Sequence, residues 1–180
     1  MSDVVNLDIN FLKEIGRDVL QNYDSYRTEG ESQTIRRNLI RSECAYIEGS
    51  LWFLKKLVRS DIESNKINVH WKTMLYLFEM DFTIKESGEI KEQDKKLGTI
   101  NNLKAFYKCS SNIYGYEIDF GSSGWADLKQ TFQVRDRLMH PSSQKTIEVS
   151  DKEILIAINC HNWYEDTKMN LLEKVVKKYS

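Results

Sequence analysis

An apolar stripe runs through the segment from about residue 32 to residue 65 and dictates a long helix there. Its members recur in steps of three and four: Ile40, Cys44, Ile47, Leu51, Leu54, Val58 and Ile62. This spacing places all of them on one face of an α-helix. Because Gly49 in the middle costs about 1 kcal/mol relative to alanine, we expect another helix, of this chain or of a second subunit, to approach closely there. The segment is predicted to be the central helix of a bundle.

Similar periodicity predicts further helices on both sides of the central one. They cover residues 8–26, 69–80, 99–114, 125–140 and 150–178. Ser150 and Glu153 have the spacing of a capping box at the start of the last helix, with Val149 and Ile154 as its hydrophobic staple. Two short segments, 82–84 and 89–91, flank a Glu-Ser-Gly turn and predict a small β-hairpin. The predicted fold is an all-α antiparallel helical bundle forming a single domain over residues 1–180, with a hairpin insertion near 82–91.

Composition bounds the cellular setting and the range of partners. The chain is 41% hydrophobic and 29% charged, with a net charge of −1 and three cysteines outside any CxxC arrangement. We expect free thiols in a reducing compartment, no signal peptide, no membrane association and a cytoplasmic protein. A charge near zero argues against a broad basic surface for nucleic acid, so that any RNA contact must be local.

One local excess of positive charge lies on the central helix. Between residues 33 and 60 six basic residues face two acidic ones: Arg36, Arg37, Arg41, Lys55, Lys56 and Arg59 against Glu43 and Glu48. This run is a candidate phosphate-facing surface, and the alternative is a solvated helix face with no partner.

The most specific chemical pattern lies where the helix at 125–140 ends. Pro141, the only proline, disfavours helical geometry at the preceding residue, so the helix should end at Met139 or His140. The negative end of the helix dipole favours a protonated imidazole, and histidine changes charge near neutrality. Asp136 lies one turn before His140, whereas Arg135 lies roughly 140° around the helix from it. His140 is therefore a candidate proton-transfer residue, with Asp136 placed to orient groups beside it.

The order arginine, polar residue, three further residues, histidine resembles the signature of the HEPN superfamily, a group of all-helical proteins many of which are RNases. Arg135, Asp136 and His140 fill that pattern. The flanks, from Asp119-Phe120-Gly121 to the capping box after Pro141, add to the resemblance, which is clearest from about residue 119 to residue 174. It implies a HEPN-type bundle.

The resemblance also implies an activity. It implies a metal-independent endoribonuclease that works as a homodimer, in which two copies of Arg135, Asp136 and His140 share one cleft and RNA is cleaved by its own 2′-hydroxyl. Some toxins of the family carry a tyrosine two residues after the histidine, where this chain has Ser142. Regulation through that tyrosine therefore does not transfer.

A second hypothesis belongs to another class of function. It is a non-catalytic nucleotide-binding, RNA-binding or protein-interaction module that keeps the motif, with an antitoxin or another protein as partner in a defence or toxin–antitoxin system. Fold similarity alone does not separate a catalyst from such a module.

Two further residues and one absence complete the predicted site. Glu48 either positions a catalytic group on a neighbouring helix or simply reaches solvent, and His161 is either a partner of the site or a core histidine. Arg135 lies along an apolar stripe with Trp125, Leu128, Phe132 and Met139, and by itself would pair with an acid such as Glu48 or Asp136. The histidines show no metal-ligand spacing, and no glycine-rich phosphate loop occurs, so neither metal nor cofactor is expected.

Overall fold

The computed structural model describes residues 3–94 and 97–179, with side chains from residue 9 to 92 and from 97 to 179. Within these ranges six α-helices and a two-stranded antiparallel sheet follow in order. They are α1 (Asp3–Glu29), α2 (Gln33–Glu63), α3 (Trp71–Leu77), β1 (Met80–Ile84), β2 (Ile90–Asp94), α4 (Thr99–Tyr114), α5 (Ser123–Met139) and α6 (Asp151–Tyr179). A short 3-10 turn, Gln144–Ile147, precedes α6. The predicted helical class is confirmed.

The hairpin predicted near residues 82–91 is present and longer than expected. Strands β1 and β2 pair from Met80 opposite Asp94 to Ile84 opposite Ile90. Gly88 occupies the turn with φ of 81°, a conformation that side chains with a Cβ rarely adopt. The turn residues thus predicted where the hairpin lies, but its strands are longer than the apolar segments from which they were predicted.

The chain divides into two compact units. The first contains residues 1–53 and 119–180, and the second contains residues 54–118, so that α2 contributes to both. The predicted stripe of α2 is buried from Ile40 to Val58, and Ile62 at its end is half-buried.

In the first unit, α2, α5 and α6 supply one apolar cluster. Its buried members are Leu39, Ile40, Val134, Leu138, Val149, Ile154 and Ala157. The capping box forms as predicted, because the Ser150 amide donates to Glu153 Oε2 at 2.8 Å and the Glu153 amide donates to Ser150 Oγ at 3.3 Å. These bonds fix the start of α6, where the loop that follows Pro141 ends.

Close approaches of helices occur at two glycines of the first unit. A Cβ on Gly49 would lie 2.4 Å from Ile15 Cδ1 of α1, which explains the glycine in the middle of α2. A Cβ on Gly124 would lie 2.1 Å from Trp163 Cγ of α6. At Gly124 the atoms met form the base of the Trp163 side chain, so a side chain there would push the helices apart, whereas the terminal methyl of Ile15 at Gly49 can move aside.

In the second unit, buried residues of α2, α3 and α4 include Leu54, Val58, Leu77, Leu103 and Phe106. Lys55 is also buried, and its ammonium lies 2.5 Å from Glu79 Oε1 and 3.3 Å from Asn102 Oδ1. Burial lowers the pKa of Lys55, although Glu79 opposes that shift.

Candidate functional site

Helix α5 ends where the sequence predicts. Its first turn is capped by Ser122, whose hydroxyl accepts a hydrogen bond from the Trp125 amide at 3.3 Å. Its last helical residue is Met139, and His140 is the C-cap, with φ of −125° and ψ of 62°. Pro141 follows and blocks continuation of the helix. The imidazole of His140 is therefore carried on the first non-helical residue, where it is exposed.

Arg135 precedes His140 on α5 and is held from two directions. Its Nη2 donates to Glu48 Oε1 of α2 at 2.8 Å, and its guanidinium lies 5.1 Å from the centre of the Phe132 ring. The side chain of Arg135 is 24% exposed and that of Glu48 is 40% exposed. The structure shows the pair with Glu48 that the sequence offered as the structural alternative for Arg135, and Glu48 holds the guanidinium from α2.

Asp136 also faces Arg135. Its Oδ1 lies 3.3 Å from Arg135 Nε, within ion-pair distance, while Nε itself is buried and lacks a hydrogen bond with good geometry among the described residues. The link between Asp136 and His140 runs through the backbone, where the His140 amide donates to the Asp136 carbonyl at 3.1 Å. The structure thus gathers Arg135, Asp136 and Glu48 together.

The His140 imidazole stands apart from that group. Within residues 9–92 and 97–179 it forms no hydrogen bond and no ion pair. Met139 corrects one prediction, because it is 54% exposed instead of continuing the inward stripe of Trp125, Leu128 and Phe132. Met139 is the last residue of the helix and lies beyond the part of the stripe that is buried. Met139 and His140 together form an exposed tip.

The loop after Pro141 is tied to α5 by Arg137. Its Nη1 donates to the carbonyls of Thr146 and Glu148 at 3.1 and 2.9 Å, and its Nη2 pairs with Glu153 Oε1 at 2.7 Å. Arg41 of α2 adds a contact from the other side, with Nη2 3.5 Å from the Leu138 carbonyl. Cations at a helix C-terminus stabilise its unpaired carbonyls. These arginines fix the backbone that carries His140.

The basic run of α2 does not form one phosphate-facing surface. Arg36 is buried, donates to the Val149 carbonyl at 3.0 Å and pairs with Asp151 at 2.6 Å. In the second unit Lys55 is buried against Glu79, and Arg59 donates to the Leu77 carbonyl. These cations satisfy internal acceptors, which sequence spacing could not distinguish from a surface run. In the first unit, Arg37 and Arg41 are the cations of this run that stay outside the core.

A second polar cluster, which the sequence did not reveal as a unit, lies inside the first unit. Glu43 of α2 has no exposed surface, and its Oε2 lies 2.8 Å from Nδ1 of His161 of α6. Lys168 donates to Tyr46 Oη and pairs with Glu165 at 2.6 Å, and Tyr46 donates to the same Glu165 oxygen at 2.6 Å. His161 is therefore a partly buried, paired histidine that joins α6 to α2.

Burial and pairing shift the protonation of this cluster. Burial raises the pKa of Glu43, and the hydrogen bond with His161 only partly offsets it. Burial lowers the pKa of His161, but the hydrogen bond and the negative charge of Glu43 outweigh it, so that the net shift is upward. Burial likewise raises the pKa of the Tyr23 and Tyr46 hydroxyls. The pair Glu43–His161 consequently holds protons more tightly than the isolated groups would.

Comparison of the chain with protein-family models, with curated proteins and with solved structures gives no match. Among the residues that the structure describes, no group of three or more His, Cys, Asp or Glu side chains is arranged to hold a metal ion. No helix in the same part of the chain has the length and apolar character needed to cross a bilayer.

Proposed function

We propose that the chain is a metal-independent endoribonuclease of HEPN type that acts as a homodimer. The observation that carries the proposal is the end of α5. There an exposed His140 without a structural partner in the described residues follows Arg135, whose guanidinium is aimed by Glu48 at 2.8 Å. An exposed imidazole can transfer protons, and a fixed guanidinium can stabilise negative charge on a phosphate.

In the proposed reaction, His140 accepts the proton of the ribose 2′-hydroxyl while that oxygen attacks the adjacent phosphorus. The bond from phosphorus to the 5′-oxygen of the next nucleotide breaks, and a second His140, contributed by the partner subunit, protonates the departing oxygen. Arg135 stabilises the charge that accumulates on the non-bridging oxygens. Asp136, at 3.3 Å from Arg135 Nε, helps to hold the guanidinium in place.

We propose a homodimer because one protomer carries only one His140, whereas the reaction needs two such groups. A single His140 cannot be neutral and protonated at once, whereas a two-fold axis supplies a second copy of the same group. The exposed tip of Met139 and His140 provides a surface through which two α5 ends can meet. Light scattering at micromolar concentration should give the mass of a dimer, and a protein that stays monomeric would count against a shared cleft.

The decisive experiment is end-group analysis of RNA treated with the purified protein. Cleavage should persist in EDTA and leave 2′,3′-cyclic phosphates and 5′-hydroxyls, and DNA of the same sequence should stay intact because it lacks the 2′-hydroxyl. His140→Ala and Arg135→Ala should each abolish cleavage. The matched control is Arg27→Ala, which removes an exposed arginine elsewhere in the chain. Products with 5′-phosphates, or activity restored only by magnesium, would refute the mechanism.

The alternative is a non-catalytic RNA-binding or protein-interaction module. One observation favours it, because Arg135 already faces two carboxylates, Glu48 and Asp136, as an arginine with a structural role would. On this alternative the Arg135→Ala variant would lose folding stability, and the unmodified protein would leave RNA uncut. The two hypotheses therefore predict opposite results in the same set of variants.

A further inference from the structure

A polar groove runs between α1 and α2 in the first unit. Each helix contributes four residues at helical spacing, and the groove encloses about 470 Å³. The lining residues are Asp18, Gln21, Asn22 and Ser25 of α1 and Asn38, Arg41, Ser42 and Ala45 of α2. Positions separated by three, four and seven residues form one helix face, so two facing stripes build the groove.

The lining of this groove is almost entirely polar. The carboxamides of Gln21 and Asn38 supply hydrogen-bond donors and acceptors, and Ala45 is the sole apolar residue in the lining. Asn22 Nδ2 and Ser42 Oγ already donate to the Asp18 and Leu39 carbonyls, at 2.8 and 3.1 Å. One arginine and one aspartate give no net charge. Such a surface does not fit an apolar ligand or a chain of several phosphates. It fits a planar polar group with hydrogen-bond donors and acceptors on its edge and one anionic group beside it.

Arg41 connects the groove to the end of α5. Its Nη2 lies 3.5 Å from the carbonyl of Leu138, two residues before His140. The side chain is exposed, and among the described residues this is its one hydrogen bond. The guanidinium has further N–H donors that an anion can take. A ligand bound to Arg41 in the groove would therefore lie beside the backbone that carries His140.

We infer that this groove binds one nucleotide of single-stranded RNA next to the bond that is cut, an inference that rests on the proposed function. Arg41 takes the phosphate, and the carboxamides of Gln21 and Asn38 bond the edge of the base. Unpaired bases expose the edges that amide side chains recognise, which makes single-stranded RNA the fitting substrate. The groove thereby sets a base preference beside the cleavage position.

The first test measures binding without cleavage. The protein with His140→Ala is titrated against fluorescent RNA pentamers of each base, and anisotropy gives the dissociation constants. Adding Arg41→Gln should weaken binding about tenfold and reduce the slope of log affinity against log salt by about 0.7, the value for one phosphate of a single strand. Arg27→Gln, an exposed α1 arginine outside the groove, should change neither.

The second test reads base preference. Asn38→Ala and Gln21→Ala in the otherwise unmodified protein should alter which base flanks the cleaved bonds, as mapped by sequencing the products of a random RNA pool. Folding is checked by circular dichroism. Retained preference and unchanged pentamer affinity in all groove variants would overturn the inference while leaving the nuclease proposal intact.

The same experiments can support one proposal and refute the other. Groove-dependent binding by a protein that cuts no RNA would support the groove and refute the nuclease. If the His140→Ala protein binds none of the pentamers, the groove is not an RNA site. Binding of a protein or of a free nucleotide in place of RNA would lead to the same conclusion.

Discussion

Replacing Glu43 with glutamine should change how the stability of the protein depends on pH. In the native protein the Glu43 carboxylate has no exposed surface, and one of its oxygens lies 2.8 Å from His161 Nδ1. The other oxygen, Oε1, is buried without a hydrogen bond among the described residues. Glutamine keeps the shape and one acceptor but removes the negative charge that holds the proton on His161.

The direction of this pH dependence follows from the pKa shifts of His161 and Glu43. The pKa of His161 is raised above 6.5 in the folded protein and that of Glu43 above 4.5, so the folded state binds more protons than the unfolded state. The stabilisation by each group is complete below its unfolded pKa and is lost as pH rises through its folded pKa. Stability from this pair should therefore be complete below the unfolded pKa of Glu43, 4.5, and decline as pH rises through the raised pKa values of the two folded groups. In Glu43→Gln the effect of burial on His161 prevails and the decline disappears.

The magnitude comes from the contact itself. A buried hydrogen bond between charged groups contributes about 1.5–3 kcal/mol, more than a neutral one. We expect the free energy of unfolding of the native protein to fall by about that amount relative to Glu43→Gln as pH rises through that range. Glu165 and Lys168 act on both groups but remain in the variant, so the difference isolates Glu43.

Urea unfolding followed by circular dichroism, repeated at each pH, measures the difference directly. Glu14→Gln is the matched control, because Glu14 forms an exposed pair with Arg17 at 2.8 Å and should give a nearly constant difference. Proton NMR of the His161 ring should show a titration midpoint above 6.5 that falls in Glu43→Gln. A difference that grows with pH, or a midpoint indifferent to the substitution, would refute the reasoning.

Three other substitutions test particular contacts. Gly124→Ala should destabilise by about 1–3 kcal/mol because its Cβ meets the base of the Trp163 side chain at 2.1 Å, and urea unfolding should show it. Glu48→Ala should change the free energy of unfolding by at most about 1 kcal/mol, since the pair with Arg135 is partly exposed, yet lower RNA cleavage about 10–100-fold by releasing the guanidinium. Leu51→Ala, at a buried position of α2, should cost about 2–5 kcal/mol of stability in the same unfolding assay, and a smaller loss would mean that the site collapses around the cavity.

Local signals in the sequence placed most helices, but the third helix, predicted to reach residue 80, ends at Leu77 and Met80 belongs to β1. The stripe of α2, the capping box of Ser150 and Glu153, and the break at Pro141 each act through residues within a few positions of one another. These signals can therefore be recognised from the sequence without knowledge of the tertiary structure. The hairpin was found by its turn for the same reason, although its strands reach Met80 and Asp94 beyond the pattern.

Pairs between helices were harder to predict. Glu43 meets His161 across 118 positions of the chain, and Arg36 meets Asp151 across 115. Periodicity tells which face of a helix is buried, but the axial register of two faces depends on packing that no local pattern encodes. For that reason the sequence suggested Glu48 as one of two acids for Arg135, left His161 without a partner, and placed Arg36 and Lys55 on a surface that they do not occupy.

The three histidines of the chain show what the structure adds to the motif. His70 has a structural task, since its ring nitrogen accepts a hydrogen bond from the Lys72 amide at 3.3 Å and caps α3. His161 has another, the pair with buried Glu43. His140 has neither kind of contact within the described residues, although Arg41, Arg135 and Arg137 all hold the helix end around it. Fixing a helix end costs side-chain entropy, and here the exposed imidazole at its tip contributes nothing to that fixation. Such an arrangement is understandable if the position of His140 matters to a ligand, which is why the cleavage assay on His140→Ala discriminates between the two proposed functions.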